Sequence, residues 1–322
     1  MMWQGLVSRA GRLLDELGRS LRRNGLPTVP RAQPVAPPAP VKLLPLERVT
    51  LTDEVARTLF EEYVTHRESA RGEDETGWVL LGLRHADEAL VLATLPAGTA
   101  CSAGVAHVQF NSDAQALASR IVRQVDRRIT ILGVVHTHPG TLRHPSDGDF
   151  RGDRTWVGQL RGGEGVFGIG TVEDGAEADA MYARQPRPHV QCWADMRLSW
   201  YSLKDGDRGY RPLSYGLTLG PDLARPLHAV WVAIEAHAES LDRLYRQQAR
   251  VTFAVVAGGT GPALAVEVPL AEPGAAIRVL LEGKEVQYFI RRKGDLFSAA
   301  SKEVRVDRGV YLLLAELAGQ DQ

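Results

Sequence analysis

A run of apolar and β-branched residues that ends in two histidines and a proline constrains this chain more than any other feature. The run extends from Ile129 to Thr137, and it is rich in isoleucine and valine. Such composition favours a buried β-strand. Pro139 has no backbone N–H to donate to a neighbouring strand, so the strand must end there. The sequence therefore predicts a buried strand that presents His136 and His138 at its carboxyl end.

Composition excludes several other classes of protein. The chain has 322 residues, 44% hydrophobic content and a net charge of -1, which are typical of a globular protein of about two domains and argue against a general nucleic-acid binder. Two cysteines are too few for a disulfide scaffold or a cysteine-based zinc knuckle. No stretch is apolar for the roughly 18 residues that a transmembrane helix requires, and arginines interrupt the N-terminal apolar runs, so we expect a cytoplasmic protein without a signal peptide.

Changes in composition divide the chain into four segments. Residues 1–25 have the apolar periodicity of an amphipathic helix, and residues 26–45 form a proline-rich linker. Residues 46–222 have a mixed α and β pattern, and residues 225–322 resemble a smaller α+β domain. The predicted fold class is therefore α/β, or mixed α+β, with an accessory C-terminal domain.

The hydrophobic patterns also predict individual elements. Predicted helices cover 53–65 (capped by Thr52 or Asp53), 112–127, 149–160, 227–248 and 310–317. Predicted strands cover 78–83, 89–95, 105–110, 129–137, 166–172, 178–183, 196–203, 251–256, 264–268, 277–282 and 286–291.

The two histidines have the spacing of metal ligands. Side chains two apart in a strand point to the same face, so the imidazoles of His136 and His138 lie side by side. The loop after Pro139 returns a carboxylate, Asp149, at the start of the next predicted helix. Two histidines and one carboxylate around a tetrahedral ion leave the fourth position for water, as in catalytic zinc sites.

A hydrolytic zinc site also needs a base and a hydrogen-bond donor for the oxyanion. Glu75 is the candidate base because it directly precedes the predicted strand that begins near Gly77. Ser146 is the candidate oxyanion donor. Four other acidic residues near Glu75 leave the choice of base open: Glu61, Glu62, Glu73 and Asp74.

The complete pattern resembles a known motif. His136-x-His138-Pro139, six residues and Ser146-x-x-Asp149, together with the upstream Glu75-x-Gly77, resembles the JAMM motif of the MPN+ metalloprotease family, and the resemblance covers roughly residues 48 to 220. It implies an MPN/JAB-type, cytidine-deaminase-like core in which helices flank a central mixed sheet.

The same resemblance implies roles for the motif residues. His136, His138 and Asp149 would bind one catalytic zinc ion, Glu75 would be the general acid and base, and Ser146 would assist on the oxyanion side. The implied reaction is hydrolysis of a peptide or isopeptide bond after the C-terminal glycine of a ubiquitin-like protein, within a bacterial conjugation system that has activating and conjugating enzymes and is a candidate for antiviral defence.

Two rival functions and the role of the flanking segments stay open. One rival is a protease that processes a sulfur-carrier protein, and the other is a non-proteolytic, DNA-associated module of the RadC type, which shares the His-x-His-Pro motif. The N-terminal helix and the C-terminal domain are interpreted either as docking surfaces for a partner or a second copy of the chain, or as structural extensions. His144 is interpreted as an exposed loop residue and His107 as a core residue.

Overall fold

A computed structural model describes residues 42–98, 113–138, 140, 142–172, 183–248 and 250–320. The described residues lie in one compact unit that extends from Lys42 to Gln322. The predicted N-terminal helix, most of the proline-rich linker and the predicted strand over 105–110 with His107 lie outside them, as does Pro139.

A ten-stranded mixed sheet is the larger of two sheets. Its strands are β1 (Arg48–Thr52), β2 (Gly77–Arg84), β3 (Glu88–Pro96), β4 (Thr130–Thr137), β5 (Glu164–Val172), β6 (Arg184–Arg187), β7 (Val190–Trp193), β8 (Met196–Lys204), β9 (Arg211–Pro212) and β10 (Ser214–Thr218). Their spatial order is β10-β1-β3-β2-β4-β5-β8-β7-β6, and β9 pairs with β8. β1 is parallel to β3 and β10, and β4 is parallel to β5, whereas the other pairs are antiparallel. β4 is therefore a central strand.

Helices cover both faces of this sheet. Along β2, Trp78 and Leu80 share a buried cluster with residues of α1 (Asp53–Arg67), whereas Val79 and Leu81 share another cluster with residues of α2 (Asp113–Val122). This alternation is the two-residue period of a strand. Because both faces of β2 are buried, its sequence is a continuous apolar segment. The hydroxyl of Thr52 accepts the N–H of Val55, which confirms Thr52 as the cap of α1.

The second sheet is a five-stranded antiparallel meander in the C-terminal part. Its strands are β11 (Thr252–Ala257), β12 (Pro262–Pro269), β13 (Ala276–Glu282), β14 (Glu285–Arg292) and β15 (Asp295–Ala299), and the helices around it are α4 (Arg225–His228), α5 (Trp231–Gln247) and α6 (Val306–Gln320). Leu241 of α5 and Leu264 of β12 lie in the same buried apolar cluster as Leu117 of α2. The boundary between domains near residues 222–225 stays a prediction.

Four helices differ from their predicted extents. α2 ends at Val122 instead of about residue 127, and α6 covers Val306–Gln320 instead of 310–317. The helix predicted over 149–160 is wrong in extent, because α3 (Asp147–Asp153) ends early and only a 3₁₀ turn (Val157–Gln159) follows. The hydroxyl of Thr155 donates to the carbonyl of Gly152, and such side-chain hydrogen bonds compete with continued helix. The helix predicted over 227–248 is divided into α4 and α5. In the described part of the chain, no helix combines the length and the apolar character needed to cross a membrane.

Candidate metal centre

The two motif histidines lie at the carboxyl end of β4. His136 is the penultimate residue of the strand, opposite Gly77 of β2, and His138 follows the strand and donates its backbone N–H to the carbonyl of Gly170 at 2.8 Å. Their side chains are 8% and 7% exposed, respectively, so both imidazoles are buried. Because β4 is central, hydrogen bonds on both sides hold this strand end in place.

Asp149 reaches the histidines from the first turn of α3. The hydroxyl of Ser146 accepts the backbone N–H of Asp149 at 3.1 Å, and the backbone N–H of Ser146 donates to Asp149 Oδ2 at 2.6 Å. This reciprocal pair is a capping box, which starts the helix and orients the carboxylate. The Ser-x-x-Asp spacing of the motif is therefore also the spacing of a helix cap.

The three side chains converge on one point. The Nε2 atoms of His136 and His138 are 3.0 Å apart, Asp149 Oδ1 is 3.2 Å from His136 Nε2, and Asp149 Oδ2 is 3.3 Å from His138 Nε2. Ligands at zinc distances of about 2.0–2.2 Å and tetrahedral angles are about 3.3–3.5 Å from each other. Each histidine is contacted by a different oxygen of Asp149, and one ligand atom from each of the three residues lies within 4.8 Å of the other two, which is close enough to bind one metal ion.

The tautomer of His138 supports the same conclusion. Its Nδ1 lies 3.0 Å from the carbonyl oxygen of Leu142, which can only accept a hydrogen bond, so Nδ1 carries the hydrogen. In the neutral imidazole the lone pair is then on Nε2, the atom that faces His136 and Asp149. A hydrogen bond from the distal ring nitrogen to a carbonyl is the usual support of a metal-binding histidine. The residues present therefore fit a metal ion.

Electrostatics at the centre favour a cation. Burial alone would raise the pKa of Asp149, but hydrogen bonds from His136 and His138 hold it well below the ordinary value. Burial alone would lower the pKa of His138, but the Asp149 hydrogen bond, the Leu142 carbonyl and the charge of Glu75 raise it. The Asp149 carboxylate therefore stays ionised beside the two imidazoles and offers a negative charge to a cation.

Glu75 lies beside this group. The N–H of Thr137 donates to the carbonyl of Thr76 at 2.8 Å, and the N–H of Thr76 donates to the Thr137 hydroxyl at 3.0 Å. These bonds continue the β2–β4 register beyond Gly77 and bring Glu75 next to His138, whose pKa its charge raises. Glu75 as a residue is 8% exposed and therefore buried.

The other acidic residues near Glu75 in sequence are engaged elsewhere or exposed. Glu61 and Glu62 contact Arg225, and Asp74 contacts Arg71, all at 2.8–3.5 Å. Glu73 is exposed. Of the five acidic candidates, the structure brings Glu75 alone next to the histidines.

Several residues that support the centre have no signal in the motif. The hydroxyl of Tyr201 donates to the carbonyl of Arg143, in the loop between His138 and Asp149, at 3.2 Å. Asp153 lies one turn after Asp149 and accepts hydrogen bonds from Tyr210 and Trp156. Its i+4 spacing from Asp149 is visible in the sequence, but its partners are not.

Burial raises the pKa of Asp153 to about 6, against the opposing effect of the Tyr210 hydrogen bond. Burial and the charge of Asp153 raise the pKa of Tyr210, so this hydroxyl stays a donor at every working pH. By contrast, His144 is exposed, as predicted from its place in the loop.

One comparison with known protein families matches the part of the chain that contains these residues. Residues 56–185 match the family of prokaryotic homologs of the JAB domain. The match confirms the resemblance to the JAB/MPN family over a range that includes Glu75, His136, His138, Ser146 and Asp149. Members of the JAB family are often hydrolases, and the family also has non-catalytic members.

Two further comparisons complete these findings. The solution structure of protein DSY2949 from Desulfitobacterium hafniense is similar at 18% sequence identity and a TM-score of 0.35, over 54% of this chain and 95% of that chain. No curated protein matches the sequence.

Proposed function

We propose that this JAB-domain chain is a zinc-dependent peptidase or isopeptidase that cleaves after the C-terminal glycine of a ubiquitin-like protein. The observation that carries the proposal is the convergence of His136 Nε2, His138 Nε2 and the Asp149 carboxylate, at distances of 3.0–3.3 Å, with Glu75 beside them. Two imidazoles and one carboxylate are the donor set of catalytic zinc sites that keep one position open. The proposal includes the cytidine-deaminase-like core that the family resemblance implies.

The proposed mechanism divides the work among the motif residues. His136, His138 and Asp149 would hold the zinc ion, which when bound would supply Lewis-acid polarisation of the scissile carbonyl and activation of water. Glu75 accepts a proton from the attacking water and later delivers it to the departing amine. Ser146 donates its hydroxyl hydrogen to the oxyanion, while its oxygen accepts the Asp149 N–H of the helix cap.

Burial of Glu75 and the histidines suits this chemistry. Hydrogen bonds and charge interactions are stronger where water is excluded, so a buried carboxylate beside the ligands is better placed to transfer a proton than an exposed one. The extended C-terminal tail of a ubiquitin-like protein would bind by adding a strand, a mode that reads backbone and admits only small residues next to the metal.

The nature of the leaving group defines two versions of the reaction. A lysine leaving group makes the protein a deconjugating enzyme that works with activating and conjugating partners of a bacterial system, a candidate for antiviral defence. A peptide leaving group makes it a processing protease, and the substrate is then the precursor of a ubiquitin-like protein or of a sulfur carrier. The segment over 225–322 favours the first version, since a minimal sulfur-carrier protease needs little beyond the core.

The decisive experiment uses the full-length protein loaded with zinc. It is incubated with a ubiquitin-like protein that ends in glycine and carries a C-terminal extension, and the products are measured by mass spectrometry. We expect trimming directly after the glycine. Glu75→Gln is the matched control, and we expect it to bind zinc as the wild type does but to lose turnover.

Two results would contradict the proposal in different ways. Undiminished hydrolysis by Glu75→Gln would remove Glu75 as the base and leave the metal centre intact. Salt-dependent DNA binding without zinc-dependent proteolysis would favour the rival RadC-type function. The near-neutral charge of the chain weighs against this rival.

A further inference from the structure

The short helix α3 carries Asp149, and Phe150 is its one apolar side chain that packs against the core. It has 7 residues, and none of them is buried. Its N-terminal cap is local, because Ser146 and Asp149 bond to each other. So short a helix, with one half-buried apolar residue, has little intrinsic stability and does not fix its own orientation. Other contacts must therefore fix the direction of the Asp149 carboxylate.

Asp153 ties the opposite end of α3 to the rest of the molecule. Its Oδ2 accepts a hydrogen bond from the hydroxyl of Tyr210 at 2.6 Å, and its Oδ1 accepts one from the indole N–H of Trp156 at 3.1 Å. Both oxygens thus have a donor. Tyr210 directly precedes β9, which pairs with β8, so this contact joins the helix to the large sheet.

The same aromatic residues also support the other side of the metal loop. The ring of Tyr210 packs against three other aromatic rings. Its centroid is 6.0 Å from that of Phe150 in α3, 5.4 Å from that of Phe167 and 6.3 Å from that of Tyr201. The hydroxyl of Tyr201 in turn holds the carbonyl of Arg143. One aromatic cluster therefore contacts both the loop that follows His138 and the helix that carries Asp149.

Asp149 and Asp153 are four residues apart in α3 and share one helix face. A contact that fixes Asp153 therefore also fixes the rotation of the helix at Asp149. We propose that Asp153, held by Tyr210 and Trp156, is a positioning residue of the metal centre that sets the orientation in which Asp149 is offered to the ion. This inference rests on the proposed function, because it concerns the same metal.

The test measures zinc affinity instead of turnover. Full-length protein is stripped of metal and titrated with Zn²⁺ in competition with a chromophoric chelator. The variants are Tyr210→Phe, which removes one hydroxyl and keeps the ring, and Asp153→Asn, which keeps every ring contact. We expect each variant to raise the Kd for zinc roughly tenfold or more, as is usual for residues that orient metal ligands.

Two matched controls remove the same chemical groups elsewhere. Tyr311→Phe removes a hydroxyl that donates to Gln247 at 2.8 Å, and Asp147→Asn neutralises an exposed carboxylate in the same helix. Both controls are expected to bind zinc like the wild type. A purely structural role for Asp153 would lower the Tm of the metal-free protein and leave the Kd unchanged.

The outcomes separate this inference from the proposed function. If the wild type binds zinc and both Tyr210→Phe and Asp153→Asn bind it equally well, the positioning role is overturned and the metal centre stands. If the wild type binds no zinc, the proposed function fails and the inference fails with it. An altered absorption spectrum of Co²⁺ bound to Asp153→Asn would support the positioning role independently, since that spectrum reports ligand geometry.

Discussion

Ser146 has two roles at the metal loop, one observed and one proposed. Its oxygen accepts the N–H of Asp149 and begins α3, while its hydrogen is the proposed donor to the oxyanion. Because one oxygen serves as acceptor and the hydrogen as donor, the two roles are compatible in a single hydroxyl. Substitutions that keep the acceptor but change the donor can separate them.

We expect Ser146→Ala to lower the free energy of unfolding by about 1 kcal/mol, because it removes the cap. Ser146→Asp should keep the wild-type free energy of unfolding, since the aspartate oxygen caps the helix equally well. Its turnover rate should nevertheless fall about 100-fold, because the variant has no hydroxyl to donate to the oxyanion. Urea unfolding and mass-spectrometric turnover measure the two effects. Ser146→Thr is the control that retains both functions, and full turnover in Ser146→Asp would reduce Ser146 to a helix cap.

At the scale of elements, a half-buried histidine, His228, joins α1, β3 and α4. His228 Nε2 lies 2.7 Å from the carbonyl of Thr94, and its Nδ1 contacts the carboxylate of Glu62. Both partners are acceptors, so both ring nitrogens donate and His228 is a cation. The indole of Trp78 donates to the second oxygen of Glu62 at 2.6 Å, which completes the pair.

The pair predicts a defined pH dependence of stability. Burial alone would lower the pKa of His228, but the Glu62 hydrogen bond and charge raise it; burial alone would raise the pKa of Glu62, but His228 lowers it. Because the folded pKa of His228 is raised, its contribution to stability is fully present below the unfolded histidine pKa and is lost as the pH rises through the folded pKa. Because the folded pKa of Glu62 is lowered, its contribution is present above the unfolded carboxyl pKa and is lost as the pH falls through the folded pKa.

We therefore expect His228→Gln to cost roughly 1–3 kcal/mol of unfolding free energy, most strongly between about pH 4.5 and 6.5. Urea unfolding of wild type and variant from pH 4 to 9 measures the difference, which should shrink on both sides of that range. His85→Gln, at an exposed position, is the control. A difference that stays constant with pH would contradict a charged His228.

The glycine in β4 permits the close approach of β5. Gly133 has φ of 153°, and a Cβ atom there would collide with the carbonyl of Val166. We expect Gly133→Ala to lower the free energy of unfolding by at least about 3 kcal/mol through overpacking and backbone strain. Because His136 lies three residues further along the strand, zinc binding should weaken as well.

Gly209→Ala is the matched control for this substitution, since nothing lies within 4 Å of the added Cβ. Its stability should be within about 0.5 kcal/mol of the wild type. Thermal unfolding of the three proteins gives the comparison, and a wild-type Tm in Gly133→Ala would show that β4 and β5 can separate without cost.

For the whole molecule, the continuous apolar core predicts a single cooperative unfolding transition. Leu241 of α5 is fully buried in the cluster that also contains residues of both sheets. Leu241→Ala should therefore destabilise both sheets together, by about 2–5 kcal/mol. Native-state hydrogen exchange of amides in β4 and β13 measures this, and the two sets should lose the same free energy.

Leu312→Ala, at a position that is 53% exposed on α6, is the control and should have little effect. Loss of protection in β13 without loss in β4 would instead mean that residues 225–322 unfold as a separate domain. The same measurement therefore tests the predicted boundary.

Local spacing determined the parts of this protein that sequence could predict. Residues two apart in a strand must share a face, which places His136 beside His138. Residues three apart can form a helix cap, which the Ser146–Asp149 pair does. Apolar periodicity located most helices and strands, although five-residue strands such as β1 and β10 are too short for their pattern to predict them.

Only the tertiary structure decided which distant residues join these local units. The register of β2 against β4 brings Glu75, and not its acidic neighbours in sequence, next to His138. The strand order brings Tyr210 to Asp153, and the position of α4 brings His228 to Glu62. The physical reason is the same in each case: short-range pattern sets the conformation of a segment, whereas a contact between segments depends on how the whole chain packs.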